Sequence, residues 1–223
     1  YVIRLEQGRG LRPSPEVLEA LAGALRLSED ERAYLFDLAR QRPTRQALPA
    51  DEAGPLAQLV LDLSPLPAML VNHRFDILAW NPEMAALMSM DLATLPPPQR
   101  NTLWLCMLHP GLRDFYRDRE RTVREGIADL RASWAAHPDD KALTELIDEL
   151  TTGSEEVARL WALRDVRVNG RGQKRLRHKT KGPLTIAFEV LAPIQSPEQR
   201  LVIYRAADPG SQRVLDVIAR ECT

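Results

Sequence analysis

Apolar residues recur along this chain at two different spacings, and the changes of spacing divide it. Near the start, Leu18, Leu21, Ala22 and Leu25 follow the i, i+3, i+4, i+7 pattern of a buried helical stripe. Ser14 stands as its N-cap, with Pro15 at the first helical position. Ser28 and Glu31 form a capping box for a second helix, whose Leu35, Leu38 and Ala39 face inward. Leu56, Leu59, Val60 and Leu63 make a further stripe that ends at the prolines of SPLP. AMLVN and FDILAWN then read as two short strands with His73 and Arg74 at the turn, and Asn81 before Pro82 opens the helix PEMAALM.

The middle of the chain returns to helical spacing. NTLWLCML reads as a short helix, and LRDFYRDRERTVREGIADLRASW as a long one with Phe115, Val123, Ile127, Leu130 and Trp134 along one side. DDKALTELIDEL and SEEVARLW are two more, the second capped by Ser154. DVRV and KRLRHKT flank NGRGQ, where Asn169 and Gly170 predict a hairpin turn. TIAFEVLAP and LVIYRAA follow as strands, and SQRVLDVIAR is a closing helix. Strands, a helical insertion and strands again make an α+β pattern. RPTRQALPADEAGP, residues 42–55, carries three prolines and little apolar content, and reads as a semi-rigid linker between a helical unit at 1–41 and a domain at 56–223.

Charge narrows the partners. Thirty Lys and Arg stand against 31 Asp and Glu, so no global charge draws the protein onto DNA or an anionic membrane, and any nucleic-acid contact is local. No apolar run is long enough to cross a bilayer, so no membrane partner is expected. Cys106 and Cys222 form no CxxC, which fits a reducing cytoplasm.

The opening YVIRLEQGRG raises its own expectation. Tyr1 and Leu5 share a helical face, Gly8 supplies a helix-closing residue, and no cap precedes Tyr1, which predicts a helix that begins earlier in a longer polypeptide. YVIRLEQGRGLRPSPEVLEALAGAL, followed by ERAYLFDLA, resembles the C-terminal half of a lambda-repressor-like (XRE-family) helix-turn-helix domain. The resemblance implies that residues 1–7 end the helix that lies in the DNA major groove, and it assigns Tyr1, Arg4 and Arg9 to the DNA-facing side.

DILAWNPEMAALM, the Asn101 segment, IADLRASW, SEEVARLWALRDV, the basic segment ending at His178 and LVIYRAADPGS resemble the ligand-binding domain of MmyB-like (MltR-type) bacterial transcription regulators. That resemblance implies a PAS-like antiparallel sheet with a large helical insertion, and a pocket that senses a small hydrophobic or acidic molecule, with a fatty acid as the implied ligand. Helices of the insertion cover the sheet and leave an apolar cavity with a few polar groups at one end. Leu105, Leu108, Phe115, Ile127, Leu130, Trp134 and Trp161 are the expected apolar lining. Arg100, Asn101, Arg131 and His178 are the expected polar end, because they lie in the matching segments and can meet an acidic head group through charge-assisted bonds. Paired binding to two-fold DNA sites implies a homodimer.

Each of these residues also has a plainer role. Asn81 is explained as a helix cap, and the four tryptophans as core. The basic segment 167–181 has seven Lys or Arg and no acid; it is either a phosphate-contacting hairpin or an edge kept soluble by charge, and the second needs fewer assumptions. The four histidines, His73, His109, His137 and His178, show no metal-ligand spacing, so no metal or other cofactor is expected. No GxSxG, HExxH or phosphate-binding loop is present, so no enzyme is expected. A ligand-free dimerisation or partner-docking module is the alternative to a sensor.

Overall fold

The computed structural model describes residues 13–39, 53–168 and 170–222. Tyr1, Arg4, Arg9, the helix end at Gly8, most of the linker and Asn169 lie outside them. Two helices come first, α1 (Pro15–Ala24) and α2 (Glu29–Leu38), then α3 (Leu56–Asp62). Strands β1 (Ala68–Asn72) and β2 (Ile77–Trp80) lead into α4 (Pro82–Met88) and α5 (Thr102–Met107). The long α6 (Arg119–Ala136) is followed by α7 (Lys141–Gly153) and α8 (Glu155–Ala162). Strands β3 (Arg171–His178), β4 (Gly182–Leu191) and β5 (Gln199–Ala206) and helix α9 (Pro209–Glu221) complete the described chain.

The five strands form one antiparallel sheet in the order β2-β1-β5-β4-β3. β1, between β2 and β5, is buried on both faces and reads as a continuous apolar run, whereas β4 and β5 keep an alternation of more and less buried positions. On one face Ala68, Leu70 and Leu201 pack against Val60 of α3. On the other, Met69, Val71, Ile186, Phe188 and Tyr204 pack against α4, α9 and the segment 105–115. A second core holds α6, α7 and α8 together through Val123, Ile127, Leu130, Leu143, Leu150, Val157 and Leu160. The helical insertion is therefore a layer with its own core, laid on the sheet. Burial at the scale of these side chains contributes about 1.5–3 kcal/mol each.

Local chemistry sets the joints. Asn81 is fully buried; its Oδ1 accepts from Met84 N (3.1 Å) and Ala68 N (3.0 Å), and its Nδ2 donates to Leu66 O (2.7 Å), so one side chain caps α4 and ties it to β1. Ser28 and Glu31 form the expected capping box, and Ser154 caps α8 through Val157 N. Ser14 instead gives its carbonyl to Leu18 N, while its hydroxyl serves Glu16. Leu25 and Leu38, expected on inner faces, are 66% and 50% exposed, because they stand at the helix ends beyond the stripe that α1, α2 and α6 bury together.

Two sequence-level expectations are corrected. The long helix begins at Arg119, since the backbone of residues 115–117 is engaged elsewhere: Arg117 N donates to Arg175 O (2.9 Å) and Arg177 N to Phe115 O (2.8 Å). These bonds cover part of the open edge of β3. The expected strand DVRV does not form, since 165–168 is not a strand, so β3 has no hairpin partner there. The chain reverses between His178 and Gly182, where Gly182 supplies the positive φ of 82° and His178 Nδ1 accepts from Thr180 N and Lys181 N. In β3 itself, Gly172 leaves room for the Phe188 ring, which would lie 2.9 Å from a Cβ at that position. The basic run is an edge strand, with Arg175 paired to Asp118 and Lys181 to Glu221, in keeping with charge that protects an edge.

Candidate ligand-binding site

Strand alternation puts Met69 and Val71 of β1, Phe188 and Val190 of β4, and Arg200, Val202 and Tyr204 of β5 on one face of the sheet. Val71 pairs with Arg200, Met69 with Val202, and Phe188 with Tyr204, so these side chains form adjacent rows. Thr122, Glu125, Gly126 and Asp129 share one face of α6 at helical spacing and look down on the rows, with Leu103 and Cys106 of α5 and Phe75 beside them. Between the two layers is a cavity of about 120 Å³. Gly126 lets α5 approach α6 beside it, since a Cβ there would meet Leu103 at 3.0 Å.

The wall is mostly apolar, and its charged residues are Asp129, Arg200, Glu125 and Lys174. Arg200 Nη1 stands 3.7 Å from Asp129 Oδ1, an ion pair too long for a hydrogen bond. Both atoms are buried and neither has a hydrogen-bond partner. A buried donor or acceptor left unmade costs about 1–3 kcal/mol, so two such atoms facing one apolar cavity are an unfilled requirement. Burial raises the Asp129 pKa, against the opposing pull of Arg200 and Lys174. Burial also pushes the Cys106 thiol up to about 11 and the Tyr116 phenol well above the usual tyrosine range, so both stay uncharged near neutrality. The Arg200 guanidinium lies over the Phe75 ring at 5.3 Å, and the Lys174 ammonium over Phe188 at 4.9 Å, so the cations are held by aromatic faces as well as by charge.

The residues singled out in the sequence are distributed elsewhere. Leu105 and Phe115 belong to the core against the sheet, and Ile127, Leu130 and Leu108 to the core of the helical layer. Arg131, Trp134 and Trp161 are brought together: Arg131 stacks on Trp161 at 3.9 Å and donates to its carbonyl, and the two tryptophans meet edge to face at 6.4 Å. The four polar residues Arg100, Asn101, Arg131 and His178 do not converge. Asn101 caps α5 through Leu103 N and Trp104 N and donates to Arg74 O and Asp76, which uses its whole hydrogen-bonding capacity. His178 Nδ1 accepts in the β3–β4 turn and its Nε2 donates to Ala86 O (3.0 Å). Arg100 donates to Leu95 O (3.0 Å) and lines a separate groove of about 480 Å³ beside Asp76, Glu145 and Glu149.

Asp129, Arg200 and their neighbours are not among the sequence candidates: beside the apolar stripe 123, 127, 130, 134 of α6, Thr122, Glu125 and Asp129 have the residue types of a solvated helix face. The available signal was Arg200, which has the same strand parity as Val202 and Tyr204 and so interrupts an otherwise apolar row.

Residues 54–217 match the family model of the MmyB-like transcription regulator ligand binding domain. The match takes in the whole sheet, the helical layer and the cavity. No curated protein matches the chain. No described helix is long and apolar enough to cross a membrane.

Proposed function

The chain belongs to the family of MmyB-like transcription regulator ligand binding domains, and from that premise we propose that the cavity between the sheet and α6 is a sensor site for a small, mostly apolar molecule bearing one group that both donates and accepts a hydrogen bond. The unfilled pair, Arg200 Nη1 and Asp129 Oδ1 at 3.7 Å, carries this reading. A hydroxyl or primary amide placed there accepts from the first and donates to the second. An ionised carboxylate would be drawn to Arg200 and Lys174 but meets Asp129 and Glu125 as like charges, so the neutral group is the better fit to the Arg200–Asp129 pair. The volume, about 120 Å³, is close to the roughly 150 Å³ cavity that accepts benzene, so a ring-sized ligand fits. A fatty acid enters this reading only if α5 and α6 lift from the sheet.

In the same reading the sheet is PAS-like, residues 1–41 are part of a lambda-repressor-like head, 42–55 the linker, and Tyr1, Arg4 and Arg9 face DNA. The protein acts as a homodimer. Ligand shifts the population of sensor arrangements, and this changes the spacing of two DNA-binding heads. No reaction is assigned to the site. Titration of the full chain with 4-fluorophenol, 4-fluorobenzoate and fluorobenzene, followed by fluorine NMR, tests the chemistry. The phenol should bind tightest, and Asp129→Leu should weaken it by about tenfold while leaving fluorobenzene unchanged. Equal binding of phenol and benzoate, unaltered by Asp129→Leu, overturns the reading.

One observation favours the second reading, a dimerisation or docking module without ligand: Leu59 and Leu61 of α3 are 43% and 47% exposed on the side of the sheet away from the cavity. If light scattering gives a dimer that Leu61→Asp dissolves, and no probe enters the cavity, this reading replaces the sensor.

A further inference from the structure

Three residues remote in sequence meet at one edge of the domain. His73 is in the turn after β1, His137 closes the C-terminus of α6, and Glu198 precedes β5. The two imidazole rings stack with centroids 4.0 Å apart at 25°. Glu198 Oε2 lies 2.5 Å from His137 Nε2 and 3.8 Å from His73 Nδ1. One donor atom from each residue falls within 4.8 Å of the other two.

The far nitrogens of both rings are already committed. His73 Nε2 donates to Asp140 Oδ2 (2.7 Å), and Asp140 is itself fixed by Arg74 Nη1 (3.2 Å) and by capping Leu143 N at the start of α7 (3.1 Å). His137 Nδ1 lies 2.8 Å from Ser133 O; a carbonyl only accepts, so this nitrogen carries the hydrogen. Ser133 Oγ in turn donates to His73 O (2.5 Å) and locks the two histidine segments together. The lone pairs of His73 Nδ1 and His137 Nε2 are thus left facing Glu198. His73 is 6% exposed, and its Nδ1 is buried without a hydrogen-bond partner. A proton shared between His137 and Glu198 satisfies those two residues alone. A cation satisfies all three.

We propose that His73 Nδ1, His137 Nε2 and the Glu198 carboxylate bind a divalent transition-metal ion of borderline softness, with zinc as the best fit. Two imidazoles and one carboxylate are a donor set of zinc and its neighbours, and three protein ligands leave one coordination position open. Ligand atoms at zinc bond lengths in tetrahedral geometry are about 3.3 Å apart. The 2.5 Å and 3.8 Å separations reach that value through a rotation of the Glu198 side chain, and binding also requires the stacked rings to tilt apart so that both lone pairs converge on the ion. Hydrogen bonds from the outer ring nitrogen to a carboxylate or a backbone carbonyl are the supporting contacts that orient histidine ligands. The ion would join the turn beside Phe75, the end of the helix that carries Asp129, and the start of the strand that carries Arg200, and so brace the cavity from outside it.

The test is a Co²⁺ titration of the full chain after removal of metal with a chelator. One equivalent should produce the visible absorption bands of tetrahedral cobalt, and Zn²⁺ should displace them. Glu198→Gln and His137→Asn are half-buried positions chosen to preserve the fold, which circular dichroism of the metal-free proteins verifies. Each should weaken Co²⁺ by at least tenfold, whereas His109→Gln, at a remote imidazole, should not. Wild-type protein that develops no tetrahedral bands, or a folded Glu198→Gln that binds Co²⁺ as tightly as wild type, overturns the proposal.

Discussion

Replacement of Arg200 by Met tests the polar end of the cavity where its energetics are largest. Methionine keeps a long unbranched side chain under Phe75 and removes the only cation that forms an ion pair with Asp129 among the described residues. At 3.7 Å the attraction is about 4.5 kcal/mol for an effective dielectric of 20. The side chains are 24% and 20% exposed, so water screens part of it, and a loss of about 2–3 kcal/mol is expected, below the 3–5 typical of fully buried pairs. Protonation of the stranded Asp129 limits that loss, so it should be larger at pH 8 than at pH 5. The second substitution Asp129→Asn, made in the Arg200→Met background, removes the stranded charge and should restore most of the stability, giving a coupling of about 2 kcal/mol in a double-mutant cycle. Urea unfolding followed by circular dichroism at both pH values measures all four proteins. A cost below about 0.5 kcal/mol for Arg200→Met at pH 8, or a cycle without coupling, refutes the reasoning.

Asp129 also has a pH signature of its own. Burial raises its folded pKa above the unfolded one, so its contribution to stability is fully present below the ordinary aspartate pKa and is lost as pH rises through the folded value. The stability of wild type relative to Asp129→Asn should therefore fall over that interval; urea midpoints across a pH series that run parallel would contradict it. Asn81→Ala removes a cap and strands buried groups of Ala68 and Leu66, and should cost about 3 kcal/mol by thermal unfolding. Gly172→Val drives a side chain into the Phe188 ring and should cost about 1–3 kcal/mol in the same assay. Arg131→Ala loses the stack on Trp161 and should lower the melting temperature without changing 4-fluorophenol affinity, since Arg131 binds α6 to α8 and does not line the cavity.

Much of the architecture was legible because local chemistry and tertiary structure agree. The capping box at Ser28, the caps Asn81 and Ser154, and the short apolar strands all form where residue type and spacing place them. The differences come from pairing that the local pattern does not contain. Residues 115–117 would continue α6 on periodicity alone, yet they pair with β3, some sixty residues away. DVRV would be one arm of a hairpin at Asn169–Gly170, but 165–168 is not a strand. The site was harder still. Leu105 of α5 and Leu108 just after it are the sequence candidates, whereas Leu103 and Cys106 face the cavity, a rotation that hydrophobicity cannot resolve in a six-residue helix apolar almost all round. His73, His137 and Glu198 share no sequence spacing, and only the fold brings them together.

A crystal structure of the full chain with 4-bromophenol, with the bromine located by its anomalous signal, tests the sensor site most directly. The account predicts a bromine peak among Met69, Phe188 and Val202, with the phenol oxygen between Arg200 Nη1 and Asp129 Oδ1. A peak confined to the groove beside Arg100, or a cavity that stays closed at saturating 4-bromophenol, would contradict it.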